Sequence, residues 1–267
     1  MKFRKLLILV LLTTILSSKE ILPSNTYLFS NFGNGYAHIK DTGTSPLRYE
    51  GLYTGTDLAY KRINPKVIFN VQGSFSYAAT FAADYYNLNY FIGGLSVSYI
   101  HTMPFIEGER LRLRFGGLLE TSVSGALNTD LQNASLNVDY LTDLMITSQL
   151  EYDYILAEKS GKFLFLKYSL PQRNYRAFFK LDLPLLILNG RPEFAYLNPE
   201  DFDYFSRRYY VGGYKMGTKL GLKRYLKNGN IIEIAYDWNM YTAGNKDIYL
   251  LERASHNFTM AFYFKLN

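Results

Sequence analysis

Residues 110–123 read Arg110-Leu111-Arg112-Leu113-Arg114-Phe115-Gly116-Gly117-Leu118-Leu119-Glu120-Thr121-Ser122-Val123. Three arginines alternate with Leu111, Leu113 and Phe115, and the odd positions continue apolar through Leu119 and Val123. Successive side chains of a strand point to opposite faces, so this segment has one apolar and one polar surface. The pattern recurs. From Val67 to Phe81 the odd face carries Phe69, Val71, Phe75 and Phe81, against Asn70, Gln72, Ser74, Ser76 and Thr80. At the end of the chain Phe258, Met260, Phe262, Phe264 and Leu266 oppose Asn257, Thr259, Tyr263 and Lys265.

Length decides what such strands are for. Soluble strands cluster near about five or six residues, whereas a tilted membrane-crossing strand needs about 9–11. The alternating segments here run longer than either. The expectation is an all-β, antiparallel, up-and-down transmembrane β-barrel, and a soluble exported β protein is the alternative. Past residue 18 no apolar stretch approaches helix-spanning length, and Leu183 to Leu188 contains Pro184.

The N-terminus has the three-part pattern of a secretory signal peptide. Lys2, Arg4 and Lys5 precede an apolar run from Leu6 to Leu16, and Ser17 and Ser18 follow. The expected organisation is a signal peptide over residues 1–18, a short segment over 19–25 and a barrel over 26–267. Removing residues 1–18 takes away three of 29 cations, so the formal charge falls from +6 to +3. Basicity therefore belongs partly to targeting, and nucleic acid is not an expected partner. Aromatics make up 17% of the chain, with 25 tyrosines, which suits pleated surfaces and membrane interfaces. There is no cysteine, so disulfides, thiolate metal sites and cysteine nucleophiles are all excluded.

These segments, with the signal peptide and the alternation of tight turns and longer loops, resemble bacterial outer-membrane β-barrels over nearly the whole mature chain. The last strand, with Phe262-Tyr263-Phe264, is similar to the terminal strand that such proteins offer to the barrel-assembly machinery. Members usually end on an aromatic residue, whereas this chain ends Lys265-Leu266-Asn267. The resemblance implies outer-membrane lipid as surroundings and a Gram-negative-type cell as the setting.

Tight turns are expected at Asn64-Pro65-Lys66, Glu107-Gly108-Glu109, Glu158 to Gly161 and Lys227-Asn228-Gly229. Longer connections are expected at Asp84 to Asn87, Asn128 to Asn133, Asn189 to Ser206 and Ala243 to Asp247. Ten strands follow if Lys162 to Leu188 is one strand bulged near Pro171-Gln172. Twelve follow if Pro171 to Asn174 is a hairpin and Asp247 to Glu252 a short strand. A three-residue loop with Gly229 left-handed sets Leu222 opposite Ile234, Lys219 opposite Asp237 and Lys223 opposite Glu233.

On the polar parity sit Arg110, Arg112 and Arg114, with Glu151 and Asp153 across from them, and Lys215, Lys219 and Lys223 facing Glu233 and Asp237. Opposite charges at neighbouring inner positions neutralise one another in a narrow interior. The readings are a salt-bridged filling or a charged conduit, and small barrels are generally filled by side chains. An envelope structural or interaction role, or narrow transport, follows.

An enzyme acting on lipid or peptide at the outer rim is the alternative. Against it, His38, His101 and His256 are the only histidines. Ser255-His256 has the wrong order for the His-x-Ser motif of barrel lipid hydrolases. Glu120, Asp139 and Asp143 form an acidic group expected to be solvated wall residues. In the loop after Asn189, Asn198-Pro199 starts a short helix pattern followed by Phe202, Tyr204 and Phe205, an expected rim cap or partner-binding knob. No metal or cofactor motif is visible.

Overall fold

A computed structural model describes residues 25–83, 86–108, 110–128, 130, 136–191, 208–244 and 250–266. The expected signal peptide and Asn198, Pro199, Phe202, Tyr204 and Phe205 lie outside the described residues.

The alternating segments fold as strands in one up-and-down sheet: β1 (Asn25–Asp41), β2 (Arg48–Ile63), β3 (Val67–Ala82), β4 (Tyr86–Glu107), β5 (Leu111–Leu127) and β6 (Leu136–Leu156). A small hairpin, β7 (Lys159–Phe163) with β8 (Leu166–Leu170), intervenes. The wall resumes with β9 (Arg173–Arg191), β10 (Arg208–Val211), β11 (Tyr214–Tyr225), β12 (Ile231–Ala243) and β13 (Leu251–Lys265). β1 pairs with β13 and β6 with β9, so the sheet closes on itself as an antiparallel barrel of ten strands, with β10 and β11 two pieces of one strand. Closure leaves no open sheet edge.

The tight turns, the β7–β8 hairpin and both ends of the barrel wall lie together at what is here the turn end. The longer connections lie at the loop end, together with the β3–β4 link, which is corrected from a longer connection at Asp84 to Asn87 to a short one, since β3 ends at Ala82 and β4 starts at Tyr86.

Turn chemistry accounts for several of these junctions. The Asn64 side chain accepts from the amides of Lys66 at 3.0 Å and Val67 at 2.5 Å, which folds the β2–β3 turn locally. At the β11–β12 turn Gly229 has φ +83°, and its Cβ-free backbone supplies the left-handed residue of a three-residue loop. The resulting register pairs Leu222 with Ile234, Lys219 with Asp237 and Lys223 with Glu233, as the sequence implies.

Two expectations around Pro171 are corrected. Residues 158–161 are not the turn: the chain continues into β7–β8, which turns at Leu164-Phe165. Leu164, Leu166 and Tyr168 belong to that hairpin and not to a bulged wall strand. A bulge does exist, but at Leu185, because Leu144 pairs with Leu186 while Met145 pairs with Pro184. The missing N–H of Pro184 breaks the ladder there rather than at Pro171. The twelve-strand alternative fails with the same observation, since Arg173 onward pairs directly with β6.

The faces divide as the alternation implies. Leu52, Phe75, Leu95, Leu119, Leu185, Ile234 and Phe258 are exposed on the outer wall, Phe258 at 71%. Residues on the other face of the wall strands, including Asn31, Ser76, Ser122, Asp143, Glu151, Glu233 and Asn257, are buried inside. An apolar exterior round a polar interior is the arrangement of a barrel solvated by hydrocarbon.

Candidate functional site

The interior is filled in three ways. Near the loop end it is closed by carbon: Ile39, Tyr49, Leu88, Tyr90, Leu141 and Leu251 belong to one buried cluster. Asp41, the last residue of β1, ties this plug together. Its carboxylate accepts from Asn137 at 2.8 Å and pairs with Arg191 at 2.7 Å, and it also caps the Gly43 amide at 3.0 Å. Thr44 and Ser45 are buried, so the β1–β2 connection folds down onto the mouth.

Near the turn end, on the β5–β6–β9 side, the filling is ionic. Arg114 lies 3.2 Å and Arg176 3.2 Å from the same Glu151 oxygen, and Gln149 donates to the other at 2.6 Å. Arg176 also grips Asp153 with two bonds of 2.6 and 3.0 Å, and Arg112 joins Asp153 at 2.9 Å. Bidentate pairs of this kind fix geometry as well as charge. On the β1–β13 side Tyr27, Phe29, Ile231 and Tyr263 pack together.

Between these lies a cavity of about 330 Å³. One wall is small and hydroxylic, with Ser74, Ser76, Ser96 and Ser98. The other carries Lys180, Lys215, Lys219 and Lys223. Lys219 lies 2.9 Å from Glu233 and 3.7 Å from Asp237, Lys223 lies 3.6 Å from Glu233, and Tyr263 donates to that glutamate.

The structure brings together most of the residues singled out from the sequence, with some partners changed. Arg112 stands opposite Glu151 in register but bonds Asp153, while Arg114 takes Glu151. Arg110 is exposed at the turn, where its carbonyl accepts the Asp153 amide at 2.8 Å. Lys215 does not meet Glu233 or Asp237; it reaches 2.9 Å from Glu120 and 2.7 Å from Asp143. The expected solvated wall group is therefore an interior one. Asp143 and Asp139 are buried, and Arg191 lies 3.4 Å from Asp139. Sequence reasoning missed Arg176, Arg191, Asp41, Lys61 and Arg253. Alternation puts each on the inner parity, but nothing in sequence separation brings Asp41 to Arg191.

The histidines are all on the outer wall. His38 lies 3.1 Å from Glu50, and His256 Nδ1 lies 2.5 Å from the Tyr236 hydroxyl. Ser255 is buried inside while His256 faces out, so the two cannot act together. Among the described residues no group of three His, Asp or Glu is arranged to hold a metal.

No family model matches the chain, and no curated protein matches it. Several solved structures are similar. The transport unit of the autotransporter AIDA-I from Escherichia coli is 10% identical, with TM-score 0.46 over 94% of this chain and 92% of that one. The outer membrane protease OmpT from Escherichia coli is 8% identical, with TM-score 0.46 over 91% and 96%. The translocator domain of the autotransporter NalP from Neisseria meningitidis is 8% identical, with TM-score 0.39 over 98% and 96%. The closed antiparallel barrel is read from the strand pairing of this chain itself. At such scores these likenesses carry no argument about role, so function has to be read from the interior.

Proposed function

We propose that this chain is an outer-membrane barrel with a closed, charge-filled lumen, acting as a structural or interaction component of the envelope and not as an open diffusion pore. The observation that carries the reading is the plug round Tyr49, Leu88 and Tyr90, tied across by Asp41 and Arg191. Barrels of about eight strands have interiors that side chains can fill, and open aqueous channels need more strands. The apolar outer wall has outer-membrane lipid as its partner. The aromatic-rich β13 is the strand that a barrel-assembly machinery would receive.

A narrow transport role is the second reading, favoured by the cavity beneath the plug. Purified protein in planar lipid bilayers separates the two. The closed reading expects no steady current in salt, and long-lived open channels in the unmodified protein overturn it.

A further inference from the structure

Apart from single-strand bulges at Leu185 and between Thr102 and Glu107, the barrel wall is interrupted along the seam between β9 and β10–β11. Between β9 and β10–β11 the ladder runs from Asn174–Tyr225 to Asp182–Gly217, and pairing returns at Leu188–Val211 and continues to Arg191–Arg208. Residues 183–187 and 212–216 face each other without ladder pairs. A backbone bond from the Gly212 amide to the Ile187 carbonyl, 3.0 Å, crosses the gap.

The register is the same on both sides, so the two strands bulge opposite one another. Leu185 and Leu186 both face out on one, and Val211 and Tyr214 both face out on the other. Each bulge has a chemical cause. Pro184 has no N–H to give, and Gly212 and Gly213 have φ of +147° and +103°, open only to glycine at little cost. A Cβ on Gly212 would meet nothing within 4 Å. Side chains do part of the missing work: Asn189 donates to the Gly212 carbonyl, and Tyr241 donates to Asn189.

The two sides of this seam differ in kind. Toward lipid it is edged by Leu183, Leu185 at 62% exposure, Leu186, Val211 at 66% and Tyr214. Toward the lumen lie Asp182, Lys215 and Gly217, which also line the cavity. Register carries the level inward, because Lys215 pairs with Tyr241 and Tyr241 with Arg253. Arg253 is therefore about 10 Å from the seam, at two strand spacings. Its partners are the rings of Tyr90 and Tyr241 and the Tyr90 hydroxyl. Lys61 sits 3.3 Å from the centroid of the Phe29 ring. Among the described residues neither cation has a carboxylate within ion-pair distance, whereas Lys180, Lys215, Lys219 and Lys223 each have one. Cations lining the cavity outnumber its acids by one, six to five.

From these observations we infer that the β9–β11 seam is a lateral portal, and that it admits a single-chain amphiphile with an anionic head. The head, carboxylate or phosphate, pairs with Arg253 in the cavity, and the chain lies out through the leucine-edged gap into the bilayer. The inference goes beyond the closed-mouth reading and does not rest on it, since a wall opening leaves the loop end shut.

Two experiments test it on the full-length mature barrel in lipid nanodiscs. In hydrogen exchange, those amides of 183–187 and 213–216 that point into the seam, and not toward β6 or β12, exchange at least about tenfold faster than the amides of 174–182 and 217–225 that point across the intact β9–β11 ladder, because paired amides open far less often. Equal protection overturns the portal. In the second, Leu185→Cys with Tyr214→Cys spans the gap in an otherwise cysteine-free chain, and Phe179→Cys with Leu220→Cys spans the intact ladder.

Saturable cis-parinaric acid fluorescence is expected in the unmodified protein. It should fall at least about fivefold on oxidising the first pair and recover on reduction, with the second pair unaffected. Dodecanoate or dodecyl phosphate should compete, the stronger competitor naming the head, and dodecanol should not. No saturable binding, binding indifferent to the first cross-link, or competition by dodecanol equal to that of the anions overturns the proposal. None of these results bears on bilayer conductance, so the two readings fail separately.

Discussion

The two ends of the lumen solve one problem by opposite means. Near the loop end the interior is closed by carbon, with Tyr49, Leu88, Tyr90 and Leu251 almost wholly buried. Near the turn end Arg114 and Glu151 are each 1% exposed, with Arg176 between Glu151 and Asp153. The same strands build both, on the same inward parity. The difference lies in how each end fails. An apolar plug loses stability in proportion to the volume removed. An ionic filling fails abruptly, because removing one partner leaves another buried charge uncompensated.

The largest expected effect is therefore at the ionic end. Glu151→Gln keeps the shape and one acceptor but strands the guanidinium of Arg114, while Arg176 keeps only its two bonds to Asp153. A cost of about 3–5 kcal/mol is expected for breaking a buried pair, read as a lower urea midpoint for unfolding from liposomes. A loss below about 1 kcal/mol would mean that Arg114 reaches water, and the distinction between the ends would vanish.

At the apolar end the expected loss is smaller. Leu88→Ala should cost roughly 2–4 kcal/mol, the transfer of the missing carbons plus whatever cavity survives. The control is Leu52→Ala, which removes the same atoms from an exposed position on the outer wall. Equal losses from the two would show that Leu88 does not sit in a packed plug.

How much of this was legible in the sequence follows from the same geometry. Period-two alternation carries face, so the inward charges and the outward Phe258, Met260 and Phe262 could be read directly. Gly229 carried register across one hairpin, and Lys219 and Lys223 took the paired acids it implied. Alternation does not carry which strand stands across the lumen. Lys215 meets Glu120 on β5 because the sheet closes, a fact with no local sign.

It also does not separate wall from projection. Leu164, Leu166 and Tyr168 alternate in the sequence as a wall strand would, yet the chain places them at the turn and in β8 of the hairpin. The change of apolar parity between residues 164–168 and 175–183 implies a bulge near Pro171, but it falls between the hairpin and the wall, and the wall's own bulge is at Leu185. Two prolines lay in the same stretch, and the one that interrupts the wall, Pro184, sits inside an apolar run where no turn residues mark it.

The smallest expected effect lies between the ends and decides how wet the middle is. Lys180 and Asp182 are neighbours on one face of β9, with a 2.8 Å ion pair and side chains 27% and 15% exposed. Asp182 also accepts from the Thr147 hydroxyl at 2.6 Å, so it keeps a partner when the lysine goes. If water fills the cavity, Lys180→Ala should cost less than about 1 kcal/mol, as partly solvated pairs do. The same urea titration used for Glu151→Gln reads it. A loss above about 3 kcal/mol would place Asp182 in a dry interior, where a bared carboxylate has only one hydroxyl to answer it. The middle would then join the turn end as one continuous ionic core, and the cavity could not receive a hydrated ligand head.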